Sequence, residues 1–186
     1  MKLGMVINTG RCMGCQTCVV SCHENNMLPD EFYYNKVETE GNEMYIPTGT
    51  PPNVKIKMMP QQCNHCEDPA CMTACTSDAI SITSNGIVCI DRSLCIGCGN
   101  CVNVCPYSNV KLDPTYTRAA KCSLCEPRIL MGEEPFCVKS CPGKARIVGN
   151  LSDTNSKVST LIREKNGYVL QPGDGTKPKV YYVPGS

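Results

Sequence analysis

Cys95-Ile-Gly-Cys98-Gly-Asn-Cys101-Val-Asn-Val-Cys105-Pro106 sets three thiols in one short loop and a fourth a helical turn beyond. Three chemistries use closely spaced cysteines. Disulfides belong to oxidising compartments and gain nothing from three thiols in one tight loop. A tetrahedral zinc site takes two C-x2-C pairs and has no use for a third thiolate there. A cubane iron–sulfur cluster needs what this stretch has. C-x2-C-x2-C wraps three corners of one cube, and the x3 step sends the fourth cysteine to a neighbouring cluster.

The same spacing recurs at Cys12, Cys15, Cys18 and Cys22. Two variants of it follow the theme: Cys63, Cys66, Cys71 and Cys75, with x4 in the middle, and Cys122, Cys125, Cys137 and Cys141, with x11 in the middle and Pro142 after. Cys89 stands alone. The chain has 17 cysteines in 186 residues, no Trp and two Phe. With the cysteines set aside only about a third of it is apolar, too little for an ordinary core. Something bound to the sulfurs must replace the missing packing. All the grouped positions are cysteine, with no Asp or His substitute, which predicts four 4Fe–4S clusters rather than a 3Fe or Rieske-type centre. At about −2 each when oxidised, they turn a formal charge of +1 into about −7.

Strand and turn signals then order the groups. Val54-Lys-Ile-Lys-Met-Met59 alternates and leads into the second group. Ala79–Thr83 and Ile87–Asp91 flank Ser84-Asn85-Gly86, and Asn-Gly between apolar runs is a strong hairpin signal. The third group follows, and Asn109–Leu112 closes the unit. Residues 54–113 therefore read as one ferredoxin module. Leu3–Asn8 precedes the first group and Ala145–Val148 follows the fourth, so residues 1–53 and 114–150 read as an outer module into which the inner one is inserted. The expected class is α+β: two nested bacterial-ferredoxin-like modules with small hairpins, short helices and many loops. Nesting gives the ligand sets Cys12, Cys15, Cys18, Cys141; Cys22, Cys122, Cys125, Cys137; Cys63, Cys66, Cys71, Cys105; and Cys75, Cys95, Cys98, Cys101. The rival is sequential pairing, first group with second and third with fourth. The 16 residues between Cys105 and Cys122 permit it, and the 40 between Cys22 and Cys63 make it awkward.

The chain resembles a known family in Cys63-Asn-His-Cys-Glu-Asp-Pro-Ala-Cys71, in Gly97-Cys-Gly-Asn-Cys101 with Cys105-Pro106, and in Lys121-Cys-Ser-Leu-Cys125 through Arg128, Gly132, Pro135 and Cys137 to Cys141-Pro142. Gly175–Tyr182 carries the likeness into the tail. That family is the four-cluster electron-transfer (beta) subunit of the dimethyl sulfoxide reductase class of molybdopterin oxidoreductases. The resemblance implies nested pairing and a large catalytic partner holding a molybdenum or tungsten pterin cofactor. It also implies a membrane anchor, a quinone-linked subunit or a soluble electron donor as a further partner. Two features depart from the family: Thr76 stands where Pro is usual, and the chain stops at Ser186 without the long extension of some relatives. The alternatives are a polyferredoxin subunit of a formate dehydrogenase or hydrogenase assembly, and a freestanding ferredoxin.

Nothing resembles a catalytic constellation, a phosphate-cradling loop, or a flavin or nicotinamide fingerprint. The near-neutral, mixed charge gives no footprint for nucleic acid, and no apolar run is long enough to span a membrane. Met1–Arg11 has no apolar h-region and one arginine, so no signal of its own is expected. The expected location is the extracytoplasmic side of the cytoplasmic membrane, reached by export with a signal-bearing partner, the cytoplasm being the alternative. Residues 23–45 are acidic and read as a solvated insertion. Residues 111–146 lean basic, which fits compensation of anionic clusters. His65 and His23 read as structural residues at the surface or beside a ligand, and Cys89 as a small buried apolar group rather than a ligand. In the tail, residues 151–186, Val158, Leu161, Ile162 and Lys165 recur at helical spacing. Ser152 or Asp153 would cap that helix, Gly167 would end it, and it would pack on the outer module or dock a partner.

Overall fold

The computed structural model describes residues 1–40 and 47–185. In chain order the strands are β1 (Leu3–Asn8), β2 (Asn35–Thr39), β3 (Met58–Gln62), β4 (Ile80–Ile82), β5 (Val88–Ile90), β6 (Lys111–Leu112), β7 (Ala119–Ala120), β8 (Arg146–Asn150) and β9 (Val180–Val183). The helices are α1 (Thr17–Asn25), α2 (Ala70–Thr73), α3 (Asn100–Asn103), α4 (Glu126–Leu130), α5 (Phe136–Lys139) and α6 (Lys157–Glu164). Most are one turn long, as expected where short cysteine loops rather than amphipathic faces set the element lengths.

β1 is the centre of a three-stranded sheet, antiparallel to β8 and parallel to β9. Its period of two sorts its side chains. Leu3, Met5 and Ile7 join Val180 and Tyr182 in the main core, beside Cys18 and Cys137. Val6 points to the opposite face with Val183 and meets Val158 of α6. All six residues of β1 are buried because the cysteine loops cover one face and α6 the other. The segment before the first cysteine group thus lies beside the segment after the fourth.

β9 goes beyond the sequence expectation for the tail, a helix with a packing or docking segment. The last strand completes the sheet instead. Tyr182 is fully buried, and its hydroxyl donates to the Pro60 carbonyl at 2.8 Å. The α6 helix exists, and Val158, Leu161 and Ile162 hold it to the sheet. Its cap is Ser156, not Ser152 or Asp153: the Ser156 hydroxyl accepts the Ser159 N–H at 3.2 Å.

The acidic insertion is also more ordered than its composition implies. Asn35, Val37 and Thr39 are buried while Lys36 and Glu38 between them are half-buried, so β2 is a genuine two-faced strand. It pairs with β3, with Val37 opposite Pro60. The ion pairs Lys36–Glu38 at 2.9 Å and Lys57–Glu40 at 2.6 Å neutralise part of its charge. Glu43 lies outside the described residues. The strand expected over Val54–Met59 starts only at Met58, and Val54 and Ile56 are exposed.

The Asn-Gly hairpin forms where expected: β4 and β5 pair Ile80 with Ile90 and Ile82 with Val88, and Gly86 takes a positive φ of 78° in the turn. β6 pairs with β7. This half has a smaller core of Cys71, Ile80, Val88, Cys101, Val110 and Ala119.

Candidate cluster sites

The four cysteine groups share one local backbone device. The second residue after the leading cysteine is in the left-handed region in every group: Gly14 (φ 74°), His65 (φ 44°), Gly97 (φ 74°) and Leu124 (φ 55°). That turn aims amide hydrogens inward. The His65 N–H points at Cys63 Sγ at 3.5 Å and the Leu124 N–H at Cys122 Sγ at 3.3 Å. The Gly14 N–H does the same for Cys12, partly offsetting the burial that raises that thiol's pKa. Ala119 and Ala145 supply N–H groups to Cys95 and Cys141, both at 3.3 Å. Such donors stabilise thiolate charge. At Gly97 the glycine is also sterically required, because a Cβ would collide with the Thr117 carbonyl oxygen.

After each loop a short helix carries the next cysteines. α1 holds Cys18 and Cys22 one turn apart, and Cys71, Cys101 and Cys137 lie on α2, α3 and α5. Cys75, Cys105 and Cys141 stand just beyond those helices, so each x3 step turns its last thiol toward a different loop.

Three cavities are each lined by four of these thiols. Cys12, Cys15, Cys18 and Cys141 line the first. Cys63, Cys66, Cys71 and Cys105 line the second. Cys75, Cys95, Cys98 and Cys101 line the third. Among the described residues no three His, Cys, Asp or Glu side chains close on a single metal ion. The remaining four, Cys22, Cys122, Cys125 and Cys137, are linked through Cys22 and Cys137. Burial, then Cys137 and Cys125, push the Cys22 thiol up to about 12. Burial, then Cys22 and Cys137, raise Cys122 well above the ordinary thiol value. Burial likewise pushes Cys71 up to about 12 and Cys66 up to about 11. These thiols resist ionisation unless a metal stands against them.

The surroundings ask for the opposite charge. Arg146, Lys121 and Lys179 are buried, at 2%, 6% and 2% exposure. Among the described residues none of the three meets a carboxylate within ion-pair distance. Lys121 donates to the carbonyls of Val88 and Cys122, and Lys179 to that of Gly86. Arg146 donates to Gln62 Oε1 at 2.6 Å, but its Nη2 has no partner. Burial opposes the Arg146 charge, and Cys137, Cys18 and Tyr182 more than offset it, so its pKa moves up. Asn64 and Asn109 also have unpartnered Nδ2 donors, and both line the Cys63–Cys105 cavity. An uncompensated buried cation costs several kcal/mol, and an unpaired buried donor about 1–3. Anionic thiolate-bound clusters satisfy both, so the residues fit the group.

Residues 54–151 match a model of the 4Fe–4S dicluster domain, and residues 9–33 match a 4Fe–4S binding domain. The B subunit of tetrathionate reductase from Salmonella typhimurium is 35% identical over 98% of this chain and 72% of its own length. The B component of polysulfide reductase from Wolinella succinogenes is 35% identical over 98% of this chain and 94% of its own. An iron-sulfur subunit from Halobacterium salinarum, named for a dimethyl sulfoxide reductase, is 33% identical over 98% and 79%. The chain belongs to the iron–sulfur subunits of the molybdopterin oxidoreductase class. Its cofactors are 4Fe–4S clusters, and the molybdenum cofactor of such complexes lies in the partner. As an iron–sulfur subunit it transfers electrons and is not itself the catalyst. Among the described residues no helix is long and apolar enough to cross a membrane.

Several side chains of this iron–sulfur subunit sharpen their sequence reading. Of the two placements open to it, His65 takes the one beside a ligand rather than at the surface. It is 1% exposed, its Nδ1 accepts the Val88 N–H at 3.3 Å, and burial, then Lys121 and Lys179, hold its pKa well below the usual imidazole value. Neither His65 nor Leu124 announces its left-handed turn, because neither is glycine. The signal lies in aligning the four groups, since Gly14 and Gly97 hold the same loop position. His23 packs on Tyr33 with ring centroids 5.0 Å apart and meets the Pro29 carbonyl at 3.1 Å. Cys89 lies on β5 as expected but is only part-buried, with its Sγ 3.7 Å from Glu126 Oε2. Beside Thr76, burial weighs against ionised Cys75, but donors from Ser77 and the Ala79 and Ile80 N–H groups outweigh it and lower that thiol's pKa.

Proposed function

We propose that this chain is a four-cluster electron conduit, built from two nested ferredoxin modules and docked to a molybdenum or tungsten bis-pyranopterin catalytic subunit. The observation that carries this reading is the meeting of distant thiols. Cys141 lines one cavity with Cys12, Cys15 and Cys18, and Cys105 lines another with Cys63, Cys66 and Cys71. The antiparallel pairing of β1 with β8 supports the same nesting. The proposed ligand sets are Cys12, Cys15, Cys18, Cys141; Cys22, Cys122, Cys125, Cys137; Cys63, Cys66, Cys71, Cys105; and Cys75, Cys95, Cys98, Cys101.

Bound there, a 4Fe–4S cluster takes up and releases one electron at a time. The chain's own residues do the rest. Thiolates hold the irons, inward N–H groups and buried cations balance the charge, and the core strands exclude water. No proton donor is required of the protein. Export in folded form with a signal-bearing partner is part of the proposal.

Anaerobic purification from the native host tests it. The expected result is a stable complex on gel filtration containing molybdenum or tungsten, with about sixteen irons per copy of this chain. A monomer, or clearly fewer than about twelve irons, contradicts it.

A further inference from the structure

Lys121 stands where two of the proposed sites meet. Its Nζ donates to the carbonyl of Cys122, at 3.0 Å, and to that of Val88. Cys122 belongs to the quartet with Cys22, Cys125 and Cys137. Val88 forms part of the wall around Cys63, Cys66, Cys71 and Cys105. The ammonium is thus wedged between one quartet's loop and the other's cavity. The two quartets are close: Lys121 directly precedes Cys122, and its Nζ reaches Val88 in the wall of the other cavity.

The other buried cations are placed differently. Arg146 lines the cavity of Cys12, Cys15, Cys18 and Cys141 and also acts on Cys137 of the next quartet, so it serves a different pair of sites. Lys179 donates its Nζ to the Gly86 carbonyl and its backbone N–H to that of Asn64, in the wall of the Cys63, Cys66, Cys71 and Cys105 cavity. A cation in a poorly solvated interior acts strongly on its nearest neighbours and weakly beyond them. Adding an electron to a cluster adds negative charge, which a nearby ammonium favours.

We propose that Lys121 is the shared tuning charge of these two sites, raising the reduction potentials of both clusters together where electrons cross between the two halves of the chain. This rests on the ligand sets given above. Lys121 is a tuning residue, because it touches neither iron nor sulfur in the roles assigned here.

The test is an EPR-monitored redox titration of the purified complex, comparing wild type with Lys121→Met, Lys121→Arg and Lys179→Met. Four reducible components in wild type are the condition for the ligand sets; fewer would sink those sets, whatever Lys121 does. Given four, Lys121→Met shifts two components to lower potential and leaves the other two in place. Lys121→Arg keeps all four near their wild-type values, and Lys179→Met shifts one component. Unmoved potentials in Lys121→Met overturn the proposal, and so does an equal shift of all four. If Lys121→Met fails to hold its clusters, Lys121→Gln keeps a donor for the carbonyls and removes only the charge. Wild-type potentials in Lys121→Gln overturn the proposal. So does cluster loss in both neutral variants, since that makes Lys121 a scaffold residue.

Discussion

The two halves of the molecule solve the shortage of apolar residues in different ways. The half around β1, β8 and β9 has a side-chain core. Leu3, Met5, Ile7, Val180 and Tyr182 pack on one face of a three-stranded sheet, and Val6, Val158 and Val183 on the other. The half around β4 to β7 has two-stranded ribbons and a core of six buried residues, two of them cysteines, with Cys75, Cys95 and Cys105 packed against it. An isolated two-stranded hairpin is marginal in water. The first half is a small fold that holds clusters. The second is held together largely by what its thiols bind.

Removing the clusters anaerobically with a chelator is the harshest way to break this contrast. Hydrogen exchange read by mass spectrometry is expected to show loss of protection throughout residues 63–112, while β1, β8 and β9 retain much of theirs. Equal loss in both halves would erase the distinction. Tyr182→Ala attacks the other side. It empties a fully buried site and leaves the Pro60 carbonyl without its donor. Loss of a buried aromatic of this kind costs about 3–5 kcal/mol, seen as a lower urea midpoint with exchange rising first in β1 and β9. Ser156→Ala removes one cap hydrogen bond from α6. About 1 kcal/mol is expected, confined to that helix and leaving the iron content intact. Cys89→Ala is the mildest. Iron analysis is expected to match wild type; a loss of about four irons would make Cys89 a ligand.

Much of the site is legible because cluster ligation is written in spacing. The sixteen grouped cysteines, the Asn85-Gly86 turn and the flanking strands β1 and β8 follow from local pattern. What escapes is set by contacts distant in sequence. β2 reads as part of a solvated acidic run because Lys36, Glu38 and Glu40 dominate its composition, whereas the alternation of Asn35, Val37 and Thr39 decides its burial. β9 depends on a parallel pairing with β1 from the far end of the chain, which no turn signal marks. The basic residues of 111–146 are expected to compensate cluster charge, but nothing local separates Lys121 and Arg146, which are buried, from their exposed neighbours.

The central claim is that the thiols pair crosswise, and EPR of single cysteine variants tests it most directly. Cys12→Ala and Cys141→Ala should each perturb the same one of four signals, and Cys75→Ala should perturb the signal affected by Cys98→Ala. If Cys141→Ala instead alters the signal that Cys98→Ala alters, the pairing is sequential and the nested architecture is wrong.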